Sequence, residues 1–249
     1  MWEIKQQADN KIDLYVYGDV EGDGYDFWTG EMVRSETSAN HFRDELAKYA
    51  GASEINVYIN SNGGSVFEGT AIYNQLKRHS AKKIVHIDGF ACSIASVIAM
   101  AGDEVIMPKN ALMMIHNMWM SACGNAVELR KAADDLDVIN TAGRQAYISK
   151  AGDKLSEKEL TKMMDGETWL TADQCITYGL ADKYDEKDAD MSGATSVLQK
   201  ANLNLSQRLD MQKSLAAQLR QLTTPEPKPQ PQTQKPEYGI MGTLSGIKK

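Results

Sequence analysis

The sequence predicts an α/β fold in which strands and helices alternate around a largely parallel sheet. Short runs rich in β-forming residues occur at 12–17, 55–59 and 84–88, and each is followed by apolar residues at helical spacing. Connections of this kind join parallel strands through right-handed crossovers. The chain has 249 residues, of which 42% are hydrophobic, so it is long enough for one such domain and an appendage.

The first two strand–helix units are delimited by capping and turn residues. After the first strand, Thr37 or Ser38 caps a helix that ends at Gly51. After the second strand, a Gly-Gly turn leads into a helix predicted over residues 66–77. Both units therefore have the order strand, turn, helix that a parallel sheet requires.

The rest of this region repeats the pattern and then becomes helical. The third strand turns at Gly89 into a helix over 94–101, and short strands are predicted at 104–107 and 112–115. A long helix is predicted over 125–150. Two capping boxes follow, Ser156 with Glu159 and Thr171 with Gln174, and each marks the start of a helix. Residues 180–184 complete the region.

Composition changes near residue 186, which predicts one domain over 1–185 and a separate region over 186–249. Apolar residues recur between 192 and 222 at a spacing that favours an amphipathic helix. Five of the six prolines lie between Pro225 and Pro236, so an extended linker is expected there. We interpret the second region as a scaffold-like or targeting segment.

Charge and composition narrow the classes of function. The net charge of −7, without a basic patch, argues against a nucleic-acid partner. No apolar run approaches the roughly 18 residues of a membrane span, and the N-terminus lacks the apolar stretch of a signal peptide. Cys92, Cys123 and Cys175 have no metal-binding spacing. We therefore expect a cytoplasmic protein without a metal, a cofactor or a membrane anchor.

The first chemical signal is the turn Asn-Ser-Asn-Gly-Gly-Ser at residues 60–65. Gly63 and Gly64 allow the backbone to approach a ligand closely and to point N–H groups at it. Such donors stabilise negative charge that develops on a carbonyl oxygen. A tight strand-to-helix turn without function has the same sequence, so both interpretations stay open.

The second signal is Ser93, which lies among small residues where the third strand turns into a helix. A helix N-terminus supplies free N–H groups and partial positive charge, as at a nucleophile elbow. The alternative is that Ser93 merely caps the helix. Cys92 is a competing nucleophile, although a buried and inert thiol is the more usual state of such a cysteine.

A histidine and two carboxylates supply the remaining chemistry. His116 follows the strand at 112–115, at the sheet edge where α/β proteins bind ligands. The other histidines fall on predicted helices or inside a strand: His41, His79 and His86. Asp165 and Glu167 flank a glycine, and either carboxylate is suited to orient an imidazole. An acidic surface loop is the alternative interpretation of this pair.

Taken together and in order, these segments resemble the Clp proteolytic-subunit family of serine peptidases. The resemblance is carried by residues 60–64, 89–96, 114–116 and 169–182, and it covers roughly 12–185. It implies the Clp/crotonase-type fold of repeated β-β-α units. It also implies protein substrates and a homo-oligomer in the form of a cyclic ring.

The resemblance assigns a role to each site residue. Ser93 would attack the scissile carbonyl, and His116 would take its proton and pass it to the leaving amine. Backbone N–H groups of Gly63 or Gly64 and of Ile94 would form the oxyanion hole.

The acidic residue and the branch of the family are both inferred from residues 165–172. Gapless matching back from Trp169 puts Glu167 in the position of the family's aspartate, and Asp165 is the alternative. This stretch and the short N-terminus look like the phage and prophage branch, which processes capsid or scaffold proteins during head assembly. The alternatives are a general ATP-dependent subunit that works with an unfoldase, a crotonase-type acyl-CoA enzyme, and a non-catalytic assembly protein.

Overall fold

The computed structural model describes residues 2–7, 10–26 and 28–185. The helix predicted between 192 and 222 and the Pro-rich linker lie outside the described residues, so both stay predictions. In chain order the elements are β1 (Trp2–Gln6), β2 (Lys11–Val20), β3 (Gly24–Tyr25), β4 (Met32–Val33), α1 (Ala39–Ala47), β5 (Glu54–Gly64), α2 (Val66–Arg78), β6 (Lys82–Cys92), α3 (Ile94–Ala99), β7 (Glu104–Met107), β8 (Leu112–Ile115), α4 (Ala126–Ala151), α5 (Glu157–Asp165), β9 (Thr168–Thr171), α6 (Ala172–Thr177) and β10 (Lys183–Tyr184).

One eight-stranded sheet contains all of these strands except β3 and β4, which pair with each other. Its neighbouring strands β2, β5, β6, β7 and β10 are all parallel, and β1 adds to β2 in the antiparallel direction. The last residues of β6 pair in parallel with β8, which in turn pairs antiparallel with β9. The predicted α/β fold with a largely parallel sheet is therefore confirmed.

The core lies where alternate strand residues meet the helices. Strands β5 and β6 bury every second side chain, and α2 and α3 cover them with apolar residues. The side chains with no exposed surface include Val57, Ile59, Val85, Ile87, Ile72, Leu76, Ile94 and Ile98. Each such side chain contributes roughly 1.5–3 kcal/mol through burial, which holds the strand ends and the start of α3 in fixed positions.

The opposite face of the sheet carries half-buried aromatic residues. The rings of Tyr15 and Tyr58 stack with centroids 4.9 Å apart, and Tyr58 stacks on His86 at 4.8 Å. His86 lies inside β6, as predicted, and burial lowers its pKa below the usual value. This histidine is a stacked sheet residue away from the strand ends, so it is a structural group.

The predicted glycine turns have a different structure from the one expected. Strand β5 continues through Gly63 and Gly64, and β6 continues through Gly89 to Cys92. The pairing of β5 with β6 shifts register after Ile59, as at a β-bulge, and both strands continue past the positions where a turn was expected. Among the described residues, no helix is long and apolar enough to cross a membrane.

Candidate active site

Ser93 has a backbone conformation that residues with side chains rarely adopt, with φ 55° and ψ −129°. Conformations of this kind cost on the order of 1–3 kcal/mol and persist only where surrounding contacts hold them. The Ser93 N–H donates to the Met114 carbonyl oxygen at 2.9 Å. Ser93 is the N-cap residue of α3, yet its side chain makes no capping hydrogen bond within the described helix. The interpretation of Ser93 as a simple helix cap is therefore wrong.

The Ser93 side chain faces His116. Its Oγ lies 2.7 Å from Nε2 of the imidazole, although the residues are 23 positions apart in the chain. Parallel pairing explains the contact, since Cys92 of β6 is paired with Met114 of β8 and both strands end at the same edge. This separation is within the range required for proton transfer between a nucleophile and a general base.

Gly63 lies against the turn that contains the serine. A Cβ atom on Gly63 would approach Ser93 Cβ to 2.8 Å and the Ile94 nitrogen to 3.0 Å. A Cβ atom on Gly64 would come within 2.1 Å of the Val20 carbonyl oxygen. Their φ angles of 93° and 143° also favour glycine. Both positions therefore require glycine, for close approach and for backbone conformation alike.

The hydrogen bonds of this segment distinguish the two glycines. The Gly63 N–H donates to Ser61 Oγ at 3.1 Å, so that donor is already engaged inside the protein. Ile94 is the first residue of α3, and the first N–H groups of a helix have no acceptor within it. Gly64 is paired with Val20 of β2, so both glycines stay candidates as the partner of Ile94 in an oxyanion hole.

Both candidate carboxylates lie just before β9, the strand that pairs with β8. Continuing the antiparallel register of β8 and β9 by one residue beyond their last pair puts Glu167 opposite His116. Asp165 is the last residue of α5, and its Oδ1 accepts a 2.7 Å hydrogen bond from Asn117 Nδ2. Both carboxylates are exposed. Register thus favours Glu167, whereas Asp165 is bonded to the residue that follows the histidine.

The competing nucleophile Cys92 is unsuited to that role. Its side chain is buried, in contact with Phe90, and burial raises the pKa of the thiol to about 12. A thiol with this pKa is protonated at neutral pH, and the thiolate is the reactive form. Cys175 is buried in the same way, with its pKa raised to about 12, and Cys123 is exposed.

Sequence reasoning did not identify two buried hydroxyl groups beneath the serine. Ser96 Oγ lies 2.6 Å from the Ser93 carbonyl oxygen and 2.7 Å from the hydroxyl oxygen of Tyr147. The signal in the sequence is small, since Ser96 is the one polar residue among Ile-Ala-Ser-Val-Ile-Ala in α3. Its partner is contributed by α4, and that contact depends on tertiary structure.

Comparisons with known proteins show similarity over the region that contains Ser93 and His116. The sequence pattern of the Clp protease family matches residues 30–188. The chain is 28% identical over 173 residues to ATP-dependent Clp protease proteolytic subunit 3 of Rhodococcus jostii, which covers 68% of this chain and 84% of that protein. It is 33% identical over 132 residues to the ATP-dependent Clp protease proteolytic subunit of Ligilactobacillus salivarius, covering 52% of this chain and 66% of the relative. The corresponding protein of Porphyromonas gingivalis is 30% identical over 138 residues, covering 54% and 61%.

Proposed function

Because the chain belongs to the Clp protease family of peptidases, we propose that it is a serine endopeptidase with Ser93 as nucleophile and His116 as general base. The observation that carries the proposal is the 2.7 Å distance between Ser93 Oγ and His116 Nε2 at the ends of two parallel strands. A serine hydroxyl is a weak nucleophile unless a base within hydrogen-bond reach accepts its proton.

The reaction follows from this geometry. His116 Nε2 takes the hydroxyl proton as Ser93 Oγ attacks the scissile carbonyl carbon, and the carbonyl oxygen becomes negatively charged. The N–H groups of Gly63 or Gly64 and of Ile94 stabilise that oxyanion. His116 then gives its proton to the leaving amine, and water releases the acyl group from Ser93 by the reverse sequence of transfers.

Glu167 is the proposed acidic member of the site, and Asp165 is the alternative. A carboxylate beside the imidazole would hold the ring in the correct tautomer and stabilise its positive charge during the reaction. The β8–β9 register supports Glu167, since the last pair joins Ile115 to Thr168 and the next residues are His116 and Glu167. Asp165 would act through Asn117, with which it is hydrogen-bonded.

The proposed substrate is a capsid or scaffold protein of an assembling phage head, in the cytoplasm of a bacterial host. This proposal rests on the similarity of residues 165–172 to the phage and prophage branch. Residues 186–249 would bind the assembling proteins and raise the local substrate concentration, since a short tether commonly supplies millimolar effective concentration. A second candidate is a general proteolytic subunit, because the relatives carry the name ATP-dependent.

We also propose a cyclic homo-oligomer. Asn140 is the first buried residue of α4, and all residues over 126–139 are exposed or half-buried. Apolar side chains in this half, among them Val127 and Val138, are therefore available to another subunit. A helix half of this kind has an apolar surface that contact with a second copy would bury.

A fluorophosphonate probe tests the proposed activity directly, because it reacts with serine residues that a base activates. We expect a covalent adduct on Ser93, identified by peptide mass spectrometry, and little adduct in the His116→Ala variant. A crotonase-type enzyme has no need of an activated Ser93, so it would remain unlabelled. Labelling of another serine, or none in the wild type, would refute the assignment.

A further inference from the structure

The hydroxyl groups of Ser96 and Tyr147 are buried behind Ser93 and form a row of hydrogen bonds that ends at its carbonyl oxygen. Ser96 has no exposed surface and Tyr147 is 1% exposed. Ser96 Oγ lies 2.6 Å from the Ser93 carbonyl oxygen, and the Tyr147 hydroxyl lies 2.7 Å from Ser96 Oγ. Neither hydroxyl takes part in proton transfer in the proposed mechanism.

Proton counting fixes the direction of these hydrogen bonds. Carbonyl oxygens only accept, and the Ser93 oxygen at 2.6 Å is nearer to Ser96 Oγ than the Met114 oxygen at 3.4 Å, so the single proton of Ser96 Oγ points to Ser93. The Tyr147 hydroxyl must then donate to Ser96 Oγ. Burial raises the pKa of Tyr147 above its usual value, so its hydroxyl keeps the proton. The order is therefore Tyr147 O–H to Ser96 O–H to Ser93 C=O, and each bond polarises the next.

The last acceptor in this chain belongs to the same peptide unit as a proposed oxyanion donor. The carbonyl of Ser93 and the N–H of Ile94 share one planar trans peptide bond, so they point in opposite directions. Whatever fixes the carbonyl on one side also fixes the direction of the N–H on the other. Ser96 contributes two bonds to that carbonyl, from Oγ at 2.6 Å and from its own N–H at 3.0 Å.

We propose that Ser96 and Tyr147 are positioning residues that aim the Ile94 N–H at the oxyanion. The inference rests on the proposed function, since an oxyanion forms only if Ser93 attacks a carbonyl. The unusual backbone angles of Ser93 make such support necessary, because this conformation is not one that the chain adopts without restraint. The hydrogen bonds from Tyr147 through Ser96 thereby link α4 to the Ser93 carbonyl.

The expected effects are partial, because the Ser96 N–H still binds the carbonyl after the side chain is changed. Loss of a whole oxyanion donor lowers kcat by about 10²–10³-fold. We expect Ser96→Ala to lower kcat about 10-fold and Tyr147→Phe about 3-fold, with KM nearly unchanged, because the aim of a donor matters most in the transition state. The double variant should match Ser96→Ala, since Tyr147 acts through Ser96.

The experiment measures kcat and KM of the full chain with a fluorogenic peptide. The concentration of active sites is determined by end-point titration with a fluorophosphonate, and kcat is expressed per active site. Inhibition by a peptide boronate is measured in parallel, because its tetrahedral adduct uses the oxyanion hole. Ser38→Ala is the matched control, since Ser38 is a fully buried serine at the N-cap of α1. It should reduce stability without changing kcat for each titrated site.

Two results support the proposal together. In the variants, kcat per active site falls, and the inhibition constant of the boronate rises by the same factor. Wild-type kcat for each titrated site in both Ser96→Ala and Tyr147→Phe would overturn it and leave the proposed function intact. If one variant does not fold, the other decides. A wild type without Ser93-dependent hydrolysis would overturn the proposed function, and this inference with it.

Discussion

At Ser93 the backbone angles and the missing capping bond argue against a simple helix cap. The sequence predicts a serine at a strand-to-helix junction, and both roles fit that position. The side chain faces His116 because Ser93 adopts φ 55°, which contacts with Met114 and Ser96 maintain. Those contacts come from another strand and from α3, so the choice between the two roles depends on tertiary structure.

The two candidate carboxylates, Glu167 and Asp165, provide a prediction at the same scale. We expect Glu167→Gln to lower kcat/KM at least about 10-fold, because the amide removes the negative charge that stabilises the imidazolium. Asp165→Asn should change it less than about 3-fold, since the asparagine still offers Asn117 an acceptor oxygen. Steady-state kinetics on both variants checks the order. The reverse order would transfer the acidic role to Asp165.

The end of β5 carries a prediction at the scale of an element. Gly64→Ala puts a methyl group 2.1 Å from the Val20 carbonyl oxygen, in a segment with φ 143°. We expect the free energy of unfolding to fall by more than about 2 kcal/mol and hydrolysis to be lost. Gly51→Ala is the matched control, because nothing lies within 4 Å of the added carbon.

Urea unfolding followed by circular dichroism measures both glycine variants. We expect Gly51→Ala to unfold within about 0.5 kcal/mol of the wild type. If Gly64→Ala is as stable and as active as the wild type, the close contact between β5 and β2 is not needed for the site.

Secondary structure could be predicted where local signals are strong. Strands β7 and β8 cover the predicted residues 104–107 and 112–115, and Thr171 with Gln174 forms the predicted capping box. Strand β9 was missed, because its four residues run directly into that capping box and pair with β8. Pairing of so short a strand depends on a distant partner, and sequence periodicity does not reveal the partner.

Helix α4 connects both halves of the site. Its Asn140 Oδ1 accepts a 2.7 Å hydrogen bond from the Met118 N–H, two residues after the histidine. Its Tyr147 bonds to Ser96, three residues after Ser93. The periodicity predicted this helix over 125–150, and the structure has it over Ala126–Ala151. The hydrogen bonds of Asn140 and Tyr147 could not be predicted, because helical spacing shows which face of a helix is apolar and does not identify the partner of a polar group.

The whole molecule is expected to assemble through the exposed half of α4. Val127 is 74% exposed and Val138 is 70% exposed, on a helix whose second half packs into the core. We expect light scattering at micromolar concentration to give the mass of a homo-oligomer, and Val127→Asp with Val138→Asp to reduce it. Burying either carboxylate unpaired in a subunit contact would be costly. A monomeric wild type would contradict the proposed ring.

Hydrolysis of a peptide by the wild type and by Ser93→Ala tests the central claim most directly. Both proteins are compared at equal concentration, with circular dichroism to show that the fold is unchanged. Loss of a serine nucleophile that acts with its histidine typically costs on the order of 10⁶ in kcat, so we expect no measurable cleavage by Ser93→Ala. Cleavage at the wild-type rate by a pure, folded Ser93→Ala sample would contradict the assignment of Ser93.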